Sequence, residues 1–142
     1  MVAVVQFDDV RKATEAVIEI MKRGVGIQCV ELCDERFMTS VNLFGSSTGG
    51  KRRYPEKDTL FIKLQGPTLQ SLKESASIVK EVASQKEFGG TGWMEATDAA
   101  EQHSIWMDRK NALWSGLALG AKGMEDRGQG GRSIASWSTD VW

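Results

Sequence analysis

Apolar and polar positions along this chain follow two periods, and the period switches at regular intervals. Val2–Phe7 is a short, β-branched apolar run, which predicts a first strand. Asp8 or Asp9 then caps a helix in which Val10, Ala13, Val17, Ile20 and Met21 recur at helical spacing, and Gly24 supplies the stop. Residues 26–32 read as a second strand. Asp34 opens a short helix through Phe37, Val41 and Phe44, and residues 45–57 form a loop rich in Gly, Ser and basic side chains. Leu60, Ile62 and Leu64 alternate with Phe61 and Lys63, so residues 59–65 are a third strand, broken by Gly66-Pro67. Thr68 caps a helix with Leu72, Ala76, Val79 and Ala83 on its inner face. A fourth strand over 89–97 leads into one long helix over 98–119, and Val141 with its neighbours starts a further strand. Residues 120–136 are glycine-rich without an apolar period, which predicts a mobile insertion.

Strand, helix, strand, then strand, helix, strand is the split-βαβ order of a ferredoxin-like α+β sandwich, an antiparallel sheet with helices on one face. The 142 residues amount to one domain, and 41% hydrophobic residues suffice for a core, so disorder is not the default. A net charge of -1 gives no electrostatic case for nucleic acid or membrane surfaces. Lys51-Arg52-Arg53 is a short basic run that reads as a solvated loop. No apolar run approaches the roughly 20 residues of a membrane helix, and Met1-Val-Ala-Val-Val-Gln6 shows no signal peptide. Cys29 and Cys33 lie four apart with no second pair and no nearby histidine, which favours free buried thiols over zinc.

Chemistry concentrates on the long helix. Trp106, Arg109, Lys110 and Leu113 share one face at i, i+3, i+4 and i+7. Burial of Trp106 and Leu113 places the Arg109 guanidinium at the edge of an apolar stripe. A planar fork there suits a carboxylate held by two hydrogen bonds. The residues alone favour the blander reading, in which Arg109 snorkels past the core or pairs with Asp108 or Glu101 at the surface. His103, the only histidine, does not share that face by spacing. No catalytic triad, metal-binding histidine pair or isolated carboxylate pair stands out. The residues alone leave the function open.

Four separated stretches carry a resemblance: Arg23-Gly-Val-Gly-Ile-Gln-Cys-Val-Glu31-Leu32, Lys63-Leu-Gln-Gly66-Pro67, Trp106-x-x-Arg109-Lys110-Asn-Ala-Leu113, and Trp137-Ser-Thr-Asp140-Val141. In order and approximate spacing the chain resembles the C-terminal cap, or substrate, domain of FAD-linked D-lactate dehydrogenases of the mitochondrial, cytochrome-linked type. These belong with the 2-hydroxyglutarate dehydrogenase relatives. The resemblance implies a ferredoxin-like cap and an FAD held mostly on a separate domain. It also implies a small 2-hydroxy acid substrate, cytochrome c as electron acceptor and a mitochondrial location. Arg109 then corresponds to the residue gripping the substrate carboxylate, supported by Trp106 and Lys110. Ser138 stands where relatives acting on dicarboxylates carry a lysine, which implies a monocarboxylate such as lactate.

The family's divalent metal, such as zinc, and the histidines and glutamate that hold it would follow Val141. The expectation is therefore a partial cap domain over 1–142, inactive alone, with self-association through an unpaired sheet edge. The competing expectation is a non-catalytic α+β interaction module, or the relic of a degraded gene.

Overall fold

A computed structural model describes residues 1–45 and 51–127. Four strands, β1 (Val2–Phe7), β2 (Ile27–Cys33), β3 (Asp58–Leu64) and β4 (Thr91–Ala96), form one sheet in the order β2-β3-β1-β4. All three pairings are antiparallel. Helices α1 (Val10–Lys22) and α3 (Leu69–Ala83) connect β1 to β2 and β3 to β4. This is the ferredoxin-like α+β arrangement that the alternation predicts.

Capping fixes where the helices begin. The Asp9 carboxylate accepts from the Lys12 amide at 2.8 Å, and Thr68 and Ser71 close a reciprocal capping box at the start of α3. On α3 the inner face is the expected one, with Ala76, Val79 and Ala83 buried. On α1 the buried stripe is Ala13, Ala16 and Ile20, whereas Val10 and Met21 are exposed. The periodicity of α1 is right and its orientation is turned, because alanines let the helix sit close to the sheet while the larger side chains flank it.

Helices α1 and α3 cover one face of the sheet, packing on Val5, Phe7, Leu60, Ile62 and Leu64. The opposite face is covered too. There Val2, Val4, Cys33, Phe61 and Ala96 pack against Met38, Val41, Tyr54 and Ile105. This second layer comes from α2 (Glu35–Ser40), continued by a π-helical turn over Val41–Gly45, and from α4 (Ala99–Lys110). Every residue of β1 is buried as a result. A strand covered on both faces reads as a continuous apolar run rather than an alternation, which is what Val2–Phe7 shows.

The helix expected over 98–119 is two helices. Helix α4 ends at Asn111, and α5 runs from Ala112 to Arg127, into the stretch expected to lack regular structure. Asn111 Nδ2 donates to the Gly45 carbonyl at 3.3 Å, tying the junction to the end of the π-turn. Ser115 on α5 abuts the same glycine, so α5 turns to pack on α2 and that turn. The further strand at Val141 and the remainder of the predicted insertion lie outside the described residues.

One backbone position is constrained from two sides. Gly92 has a φ of 61°, and a Cβ there would run into the buried carboxamide of Gln6. That amide, with its nitrogen toward β4, donates to Gly92 O at 3.1 Å and Thr91 O at 3.2 Å, beside the register shift between β1 and β4. Gly92→Ala is expected to cost roughly 1–3 kcal/mol, read as a lower urea midpoint. An unchanged midpoint would show that the strand relaxes at this position without strain.

Candidate functional site

The second layer carries the chemistry. On β2, Cys29, Glu31 and Cys33 alternate, so all three face the same side of the sheet. Lys63 on β3 is the register partner of Cys29 and shares that face. Helix α4 lies over the same layer. The Asp98 carboxylate caps it, accepting from the amides of Ala100 and Glu101 at 3.0 Å each.

Arg109 makes an ion pair with Glu31, and both side chains are close to nine-tenths buried, at 12% and 11% exposed. Its buried ion-pair partner thus lies on the facing strand rather than on its own helix surface. The Cys29 thiol donates to the other Glu31 oxygen at 3.5 Å. Trp106, partly buried against the second core, has the Lys63 ammonium 5.5 Å from its ring centre. Arg109 and Trp106 therefore come together with Glu31, Cys29 and Lys63 in one half-buried cationic and aromatic patch. Such a patch suits a small anion, because a planar guanidinium flanked by apolar surface binds a carboxylate with little competition from water.

Other expected members fall elsewhere. Lys110 is exposed at the last turn of α4. Leu113 is exposed on α5, because the break at Asn111 ends the helical face it was counted on. His103 is exposed. Ser138 lies outside the described residues.

Asp108 anchors a second cluster that the sequence did not reveal. Its side chain is 0% exposed, and its Oδ2 accepts from the Tyr54 hydroxyl at 2.8 Å and from Arg52 Nη1 at 3.0 Å. Arg52 Nη1 also donates to Ser104 Oγ at 2.9 Å. Arg52, expected in a solvated loop, is thus a partly buried ion-pair partner, whereas Arg53 beside it is exposed. Burial works against the Arg52 charge, but its bonds to Asp108 and Tyr54 outweigh this and raise its pKa. Burial and the Asp108 carboxylate push the Tyr54 hydroxyl up from its ordinary range. Tyr54 also stacks edge-on to Phe61, at 5.7 Å between ring centres. The signal for Glu31 was present in the sequence: a carboxylate alternating with two cysteines on an inward strand face needs a cation opposite. Nothing local marks Arg52, whose partner is 56 residues away.

Cys29 and Cys33 are thiols outside any disulfide, as expected, although Cys29 is only half-buried. Burial, helped by Asp34, pushes the Cys33 thiol up to about 12 from its ordinary value of 9.0. Between those values the unfolded chain loses this proton and the folded chain keeps it, so stability falls as pH rises. Going from about pH 8 to about pH 10, the wild type should lose about 1 kcal/mol more than Cys33→Ala. Urea titrations at the two pH values measure this, and equal losses would contradict it.

Among the described residues no group of three His, Cys, Asp or Glu side chains could hold a metal ion. Two clefts beside α1 and α3 are lined by Gln85, Lys86 and Glu87, and by Glu15, Glu19, Lys22 and Glu87 among others. Their carboxylates do not fit the pyrophosphate of a dinucleotide cofactor.

Comparison with known proteins places this geometry in context. Residues 1–127 match the family described as FAD linked oxidases, C-terminal domain. The chain is 32% identical over 140 residues to a mitochondrial D-lactate dehydrogenase (cytochrome) of Kluyveromyces lactis, covering 99% of this chain and 22% of that protein. Identity is 31% over the same share of both chains to mitochondrial D-lactate dehydrogenase (cytochrome) 1 of Saccharomyces cerevisiae. It is 31% over 84% of this chain and 20% of the relative for the mitochondrial D-lactate dehydrogenase (cytochrome) of Arabidopsis thaliana. The chain thus spans about a fifth of the length of the curated relatives it matches.

Proposed function

The chain belongs to the FAD-linked oxidases, within their C-terminal domain family, and on that footing we propose that it is the substrate-holding part of a flavoprotein oxidising D-lactate to pyruvate. The observation that carries this reading is the 32% identity to a D-lactate dehydrogenase (cytochrome) across 99% of the chain. Electrons then pass to cytochrome c, as the names of the relatives suggest for those proteins. Their names also place them in mitochondria, and the same compartment is assigned here. Among the described residues no helix is long and apolar enough to cross a membrane.

Arg109 grips the substrate carboxylate. Its place beside Glu31, at the edge of the layer that includes Trp106, supports this role. Trp106 anchors the helix against the second core, and Lys110 is the supporting cation at the helix end. Ser138 leaves room for a monocarboxylate. Bound flavin supplies the two-electron acceptor, and a divalent metal such as zinc belongs to the complete enzyme. Oxidation needs an acceptor and a proton-removing group positioned together. On this reading residues 1–142 supply the carboxylate clamp and alone bind substrate without turnover.

The test is a graft. Residues 1–142 replace the matching segment of the K. lactis enzyme, and D-lactate-dependent cytochrome c reduction is followed with flavin content as control. Activity with full flavin supports the proposal, and full flavin without activity overturns it. Turnover by the 142-residue chain with added FAD would refute the claim that it is inert alone.

A second reading, an interaction module, draws on Leu113, Trp114 and Leu117 of α5, with Trp114 71% exposed. The edge strands β2 and β4 offer a further route to self-association. Sedimentation that shows only monomer would remove this second reading.

A further inference from the structure

Glu31 is a costly residue to place where it is. It sits on an inward strand face, 11% exposed, with one carboxylate oxygen in the Arg109 ion pair and the other accepting from Cys29 at 3.5 Å. Both of its oxygens are engaged by groups of this layer. The local charge is then simple to count. Arg109 contributes one positive charge, Glu31 cancels one, and Lys63 beside Trp106 supplies another. These three side chains together carry a net charge of about +1, in a setting where water screens poorly.

The geometry points to Glu31 as a positioning residue that fixes the Arg109 guanidinium and sets the site's preference for monocarboxylate over dicarboxylate 2-hydroxy acids. This rests on the reading of Arg109 as the carboxylate clamp. One carboxylate balances the patch. The second carboxylate of a dicarboxylate meets the charge of Glu31, and like-charge juxtaposition discriminates against it. The preference is therefore encoded in β2 and β3 and does not depend on Ser138 alone.

The experiment measures binding of D-lactate and D-malate to the full 142-residue chain by calorimetric titration. Glu31→Gln keeps the side-chain volume and removes the charge. It is expected to improve D-malate binding relative to D-lactate by about tenfold. Glu31→Asp, which keeps the charge, should leave the ratio of the two affinities as in the wild type even if both weaken. An unchanged ratio in Glu31→Gln overturns the role of Glu31 and leaves the clamp standing. Undiminished D-lactate binding in Arg109→Ala, or none in the wild type, overturns the clamp and this inference with it. If Glu31→Gln does not fold, Lys63→Gln reads the same charge count in the other direction. D-malate should then lose more affinity than D-lactate, and equal losses overturn the inference.

Discussion

Asp108→Ala is expected to destabilise the fold by about 3–5 kcal/mol, the range for removing one partner of a buried ion pair. The wild-type carboxylate is fully buried and accepts from both Arg52 and Tyr54. Without it, the Arg52 guanidinium, only 16% exposed, and the Tyr54 hydroxyl lose a charged acceptor in a place water reaches poorly. A natural domain of this size has only about 5–15 kcal/mol in total, so the loss is a large share of its stability. Urea unfolding of Asp108→Ala, Arg52→Ala and the double variant measures the coupling directly. The double variant should be less destabilised than the sum of the singles. Additive losses would show that the two groups do not act as a pair.

Arg109→Ala is expected to lower D-lactate affinity by on the order of 10²–10³, since charge-assisted bonds from a guanidinium fork to a carboxylate are among the stronger polar contacts. Arg109→Lys keeps a positive charge but loses the planar fork, and a loss of about tenfold is expected. Folding is followed alongside by circular dichroism, because Arg109→Ala also leaves Glu31 in its pocket without that guanidinium. A folded Arg109→Ala variant that binds D-lactate normally would remove this residue from the site.

The sandwich was legible because its signals are local. Alternation in β3, the apolar run of β1 and the caps Asp9, Asp34, Thr68 and Asp98 each depend on neighbours a few residues apart. The second helical layer was harder to read, since Phe37, Met38 and Val41 form only a short amphipathic piece that continues into a π-turn. The break at Asn111 was invisible for a related reason. Asparagine is tolerated within a helix, and the bond that makes it a terminus runs to Gly45, 66 residues earlier.

At the site, the chain itself marked Trp106 and Arg109 as neighbours, and its motifs tied them to a carboxylate-handling family. The succession of strands and helices and most caps follow from the one-dimensional pattern, because periodicity and capping act over a single turn or pleat, while the family rests on the resemblance of the separated motifs. The partners were decided only in three dimensions. Glu31 on the facing strand meets Arg109, and Arg52 leaves a basic loop to meet Asp108. A buried charge takes the partner that folding brings within reach of its side chain. That choice depends on which helix lies over which strand, a quantity no local stretch of sequence contains.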